Sequence, residues 1–192
     1  MLRGALTYYK GVFINLLKKC AETYSKYIGY DYTFITDCNF SVKVRFPKQS
    51  FYHLVGLHYL KDVIQLDKTR PNNSPSTIYK RIIDENITQE LIEKSSFYSK
   101  IEERITHFPD LGKILTSKII VDFDYTKVPR TQLKSKYLLY NKFENGYEII
   151  GLKYDSKYDV FVPETFIVEH SEYYVKNQIA YNIVDIEIKY YK

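Results

Sequence analysis

The sequence predicts an α+β fold, and three observations carry that prediction. Apolar residues recur at three- and four-residue steps near the N-terminus and again between about residues 75 and 115. From residue 118 they alternate with polar ones instead, and Glu144-Asn145-Gly146 sits between two such stretches as a hairpin turn. Helical and extended patterns are therefore segregated along the chain rather than interleaved, which is the α+β arrangement.

The elements follow in order. Leu6, Tyr9, Val12, Phe13, Leu16, Leu17, Cys20, Tyr24 and Ile28 share one face of a helix over residues 5–28, with Lys10, Lys18, Lys19, Glu22 and Lys26 opposite. Gly29 stops it. Tyr30, Tyr32 and Phe34, then Phe40, Val42, Val44 and Phe46, alternate with polar residues around Asp37-Cys38-Asn39 and predict a hairpin. Pro47 opens a short helix to about Val55, which Gly56 ends. Residues 65–74 form a polar loop, and Ser74-Pro75 starts a helix to about Glu85. Thr88 opens another, running to His107, and Pro109 starts a last short turn. Strands are expected over 118–123, 136–143, 147–154, 159–168 and 184–190. An N-terminal helix (1–29) and an α+β domain (30–192) are read as one structural unit.

Composition bounds the function loosely. The net charge of +5 suits an anionic partner without requiring one. Twenty-one tyrosines, six arginines and no tryptophan match the usage of an AT-rich genome, an explanation of the basicity that needs no ligand. Cys20 and Cys38 have neither metal-site nor redox spacing and fit a reduced cytoplasm. No apolar run approaches membrane-spanning length, and Lys10 with no small-residue cleavage site argues against a signal peptide. Glycine-rich phosphate loops, Ser/His/Asp arrangements and dinucleotide fingerprints are absent from the sequence.

The densest chemistry lies in His53-Leu54-Val55-Gly56-Leu57-His58-Tyr59-Leu60-Lys61-Asp62, which holds two of the four histidines. If the helix stops at Gly56, both imidazoles face one cleft with a lysine beside it. That set suits proton transfer next to a phosphate. A packed, hydrogen-bonded histidine is the plainer reading of each. The five-residue spacing does not match a zinc helix motif, and no metal is expected. Lys61, Lys80 and Lys136 are candidate phosphate contacts, against the simpler reading of a solvated lysine face. Tyr137 and Tyr140, interleaved with cations, offer stacking surfaces or merely cover a sheet. Thr165, after Pro163-Glu164, offers a hydroxyl to a phosphate or is an ordinary strand-edge threonine. His107 and His170 sit at element ends with little signal.

Taken in order, His53–His58, Ile78-Tyr79-Lys80, Lys94-Ser95-Ser96-Phe97, Ile105-Thr106-His107-Phe108-Pro109, Lys136-Tyr137-Leu138-Leu139-Tyr140-Asn141 and Phe161-Val162-Pro163-Glu164-Thr165-Phe166 resemble a known group. The group is the fourth subgroup of phage-associated nucleases related to barnase, EndoU, colicin-type and RelE-type ribonucleases. The resemblance covers residues 39–169 and omits the N-terminal helix and the last strand. It implies a barnase- or RelE-like fold, with N-terminal helices packed on an antiparallel sheet of about four strands. It also implies metal-independent cleavage of tRNA or ribosome-associated RNA by a toxin or phage–host conflict effector. Thr165 stands where the group often has serine, so the hydroxyl is kept. The expected endoribonuclease uses His53, His58, Lys61 and Thr165 for catalysis and Lys80, Lys136, Tyr137 and Tyr140 for substrate, with no cofactor. A cognate antitoxin or host defence protein is a further expected partner. The alternative is a non-catalytic binding protein that keeps the nuclease fold.

Overall fold

The structure is a computed structural model that describes residues 15–191. Helix α1 (Leu16–Ser25) begins where the Asn15 side chain accepts from the Lys18 amide at 3.0 Å, satisfying one free N–H of the first turn. Its apolar spacing buries Leu17, Cys20, Ala21 and Tyr24 on one face. The expected helix over residues 5–28 is thus seen from Leu16, and residues 5–14 lie outside the described residues. Strands β1 (Tyr30–Thr36) and β2 (Ser41–Arg45) form the expected hairpin, in register from Asp31↔Arg45 to Ile35↔Ser41. The Arg45 guanidinium donates to both Asp31 oxygens at 2.6 and 2.8 Å, fixing that register.

Helix α2 (Ser50–Leu54) follows Pro47, and a short 3₁₀ turn, Leu57–Tyr59, follows Gly56. Helix α3 (Pro75–Ile83) starts at Ser74, whose hydroxyl accepts from the Thr77 amide at 3.2 Å. The sequence predicts one helix from Thr88 to His107, but the structure splits it into α4 (Gln89–Glu93) and α5 (Glu102–His107). Asp62 explains the break. Its carboxylate accepts from the Ser95 hydroxyl, from the Ser96 amide at 2.8 Å and from the Ser96 hydroxyl at 2.9 Å. Bonds of this kind compete directly with the helical ladder. Pro109 then opens a 3₁₀ turn that leads into α6 (Leu111–Leu115).

The remaining strands are β3 (Ile119–Asp122), β4 (Tyr137–Phe143), β5 (Gly146–Asp155), β6 (Val160–Glu169) and β7 (Ile179–Tyr190). The α+β class stands, but the expected barnase- or RelE-like antiparallel sheet of about four strands is corrected. Seven strands close into a barrel in the order β1-β2-β6-β5-β4-β3-β7. The cause is the length of β7. Its first residues pair with β3, from Asp122↔Ile179 to Ile119↔Asn182, and its later residues pair with β1, up to Tyr30↔Tyr190. One strand therefore joins the N-terminal hairpin to the C-terminal meander. A single parallel pair, Val44↔Phe161, completes the ring between β2 and β6.

One face of the sheet contributes Phe34, Val44, Leu139, Ile150, Leu152 and Phe166 to a core shared with the helices. Leu17, Cys20 and Tyr24 of α1 belong to that same core. On the other face, Val121, Leu138, Tyr147 and Ile149 lie under Val128, Leu133, Tyr174 and Val175. No helix among the described residues is long and apolar enough to cross a membrane.

Candidate active site

His53 is carried by α2 and His58 by the 3₁₀ turn that follows, so the conformation of Gly56 decides whether the two meet. Gly56 has φ +81°, in the left-handed region that a Cβ disfavours. It is also crowded: a Cβ there would lie 2.6 Å from Ile101 Cγ2 and 3.3 Å from Arg104 Cδ. A bare glycine lets the chain reverse directly against α5. The reversal brings the His53 and His58 ring centroids to 4.9 Å. His58 also packs on Tyr59, with centroids 4.1 Å apart, and the Arg104 guanidinium lies 5.4 Å from the Tyr59 ring.

The electrostatics follow from this packing. Burial is the main cause pushing His58 down to about 4, with the charges of His53, Arg104 and Lys68 adding to it. Burial and Lys68 lower His53 as well. Burial also lowers the Arg104 guanidinium, against the favourable influence of Tyr59. Both imidazoles are therefore neutral at pH 7 and present lone pairs. The His58 Nδ1 atom is buried and faces the Tyr52 backbone, which favours the charged ring and only partly offsets the lowering. An anion placed beside Arg104 and Lys68 would offset the smaller part of the lowering, the Lys68 charge on both histidines and the Arg104 charge on His58. By reciprocity, raising their proton affinity and binding the anion favour one another.

The other expected residues occupy several places. Lys61 is exposed just beyond the turn, and Lys80 is exposed on α3. Lys136 is bonded to Asp122 at 2.6 Å. Tyr137 is half-buried against Phe161, with centroids at 5.1 Å, and Phe40, so its ring belongs to the packing of the sheet. Tyr140 meets Tyr147 edge-on at 5.7 Å beside a cleft. Thr165 pairs with Gly151 on β5, where its methyl would touch an added Cβ at 3.0 Å. The structure thus assembles His53 and His58, and places Lys136, Tyr137, Tyr140 and Thr165 on the sheet.

Two features escape the sequence reading. Arg104 comes from α5, far along the chain from His58, and its neighbours Glu102-Glu103 suggest an ordinary solvated turn. The second is Glu148, which is 1% exposed and the sole buried charged side chain among the described residues. His107 Nδ1 lies 2.8 Å from its Oε1, and the Asn141 amide donates to Oε2 at 3.0 Å. An ionised carboxylate only accepts, so His107 donates through Nδ1. A charge inside the apolar run Tyr147-Glu148-Ile149-Ile150 was the available signal. Among the described residues, no group of three or more His, Cys, Asp or Glu side chains is placed to hold a metal ion.

A histidine pair beside a half-buried guanidinium is a group set suited to acid–base chemistry on an anionic substrate. The chain matches the family model for the phage-Barnase-EndoU-ColicinE5/D-RelE like nuclease 4 over residues 16–191, and it belongs to that family. The match takes in both α1 and β7, beyond the span of the sequence resemblance. No curated protein and no solved structure matches the chain.

Proposed function

We propose that the chain is a metal-independent endoribonuclease, a toxin or phage–host conflict effector acting on tRNA or ribosome-associated RNA. The observation that carries this reading is the neutral His58 set against His53 at 4.9 Å, with the Arg104 charge beside it. His58 takes the proton of a ribose 2′-OH through Nε2, since its Nδ1 is buried. The 2′-oxygen then attacks the adjacent phosphorus, and the bond from phosphorus to the 5′-oxygen breaks. His53, the partner that acts as acid and is favoured in its protonated form by the substrate phosphate, gives its proton to that leaving oxygen. Arg104, with Lys61 and Lys80, balances the charge gathered on the phosphorane. Tyr140 serves a flanking nucleotide along the sheet, while Lys136, held by Asp122, and Tyr137 and Thr165, packed within the sheet, stand outside the substrate contacts. The products are a 2′,3′-cyclic phosphate and a 5′-hydroxyl.

The depth of His58 between Tyr52 and Tyr59 favours a second reading, a non-catalytic inhibitor or binding protein that keeps the fold for contact with an RNA or a host defence protein. One experiment separates the two. Total tRNA and rRNA are incubated with the protein in EDTA, beside His58→Ala, and fragment ends are mapped. The catalytic reading expects discrete cuts ending in cyclic phosphate, slowed about 10²- to 10⁴-fold in the variant. Cleavage by the variant at the wild-type rate removes His58 from the chemistry. A folded wild type that cuts nothing favours the binding protein, and a pull-down would then seek its partner.

A further inference from the structure

Two basic clefts flank β3 and β4, and their charges are arranged differently. One, of about 460 Å³, holds Lys127, Lys134 and Lys136. There Lys127 faces Asp124 at 3.8 Å and Lys136 faces Asp122 at 2.6 Å, while Lys134 lies 3.8 Å from the Tyr125 ring centroid. Its cations are largely satisfied from within the protein.

The other cleft, of about 570 Å³, is lined by Ser117, Lys118, Tyr140, Lys142, Tyr147 and Lys176 among others. That volume suits a nucleotide-sized ligand, since small-molecule sites span about 300–1,000 Å³. None of its three lysines has an ion-pair partner among the described residues, and the Lys142 ammonium lies 5.6 Å from the Tyr147 ring centroid. The one carboxylate in the lining, Glu172, accepts from the Tyr147 hydroxyl at 3.2 Å. Tyr140 is held edge-on by Tyr147, which fixes its ring. Cations without ion-pair partners and a braced aromatic ring are the parts of a site for single-stranded nucleic acid.

We propose that this cleft binds single-stranded RNA, with backbone phosphates on Lys118, Lys142 and Lys176 and a base against Tyr140. The choice of RNA rests on the nuclease reading, and the cleft is a contact for nucleotides outside the histidine pair. The lysines would release counterions on binding, so affinity should fall steeply with salt.

The test uses a short fluorescein-labelled 2′-O-methyl oligoribonucleotide, which lacks the attacking hydroxyl and so reports binding without cleavage. Anisotropy is read across a salt series for wild type, Lys118→Gln/Lys176→Gln, Tyr140→Leu and Lys127→Gln, each first checked for a wild-type melting temperature. The double lysine variant should weaken binding at least tenfold and flatten the log–log salt slope by about 0.7 per lysine removed. Tyr140→Leu should weaken it about tenfold, within the range of one stacked base. Lys127→Gln, from the cleft with paired charges, should stay near wild type. Wild-type affinity and slope in the double variant would overturn the assignment, as would no binding by the wild type. If the wild type binds this probe through the cleft yet cuts no RNA, the cleavage reading fails and the cleft stands. If it cuts RNA while the cleft variants bind normally, the reverse holds.

Discussion

His58 makes stability depend on pH in a definite direction. Its imidazole titrates near 4 in the folded chain, against an ordinary value of 6.5. Between those values the unfolded chain binds a proton that the folded chain does not. Stability should therefore be full above about pH 6.5 and fall as the pH drops towards 4. Discounted for the ring's partial exposure, the loss is about 1 kcal/mol. His58→Gln should weaken this dependence, and urea midpoints at about pH 7 and pH 5 measure it. Identical pH dependence in both proteins would show that His58 does not set it. The residues behind this behaviour were unevenly legible. His53, Gly56 and His58 lie within six positions, so their spacing alone predicted a meeting. Arg104 supplies the neighbouring charge from α5, and its proximity depends on Gly56 having no side chain, which no local pattern records.

At the level of elements, Glu148 fastens the end of α5 to the β4–β5 hairpin through His107 and Asn141. Removing it would strand both partners, one of them a cation when protonated. Glu148→Ala should cost about 3 kcal/mol, the order expected when one member of a buried pair is lost. Glu148→Gln, which can still accept from His107, should recover most of that in a thermal melt. Equal melting temperatures for Glu148→Ala and wild type would mean the network holds nothing together. The break between α4 and α5 teaches the matching lesson about legibility. Propensity from Thr88 to His107 supports one helix, and the interruption comes from Asp62, more than thirty positions earlier. The hairpins were readable because alternation and turn residues are local, whereas a long-range carboxylate cap leaves no local trace.

For the molecule as a whole, closure rests on β7, whose side chains are mostly exposed and which therefore holds by pairing more than by burial. Ending the chain before Ile179 would leave β1 and β3 as open edges, which invite edge-to-edge association. Such a truncation should be recovered as aggregate, or as a species without near-ultraviolet circular dichroism. A soluble truncation with native spectra would show that closure is dispensable. The strands were visible in the sequence except the first part of β7, from Ile179 to Ile183, which pairs with β3 but lacks the alternation seen from Val184 onward. Which strand pairs across the barrel was not visible, because the partners are separated by most of the chain's length.

The closed ring is also unequal around its circumference. β5 and β6 share a long ladder, while β2 and β6 meet at the single pair Val44↔Phe161. Thermal opening will begin where the fewest bonds must break at once. In a deuterium-exchange time course, amides of β2 that face β6 would lose protection first and those between β5 and β6 last. The seam would then act as a built-in hinge line, beside the short helix that carries His53.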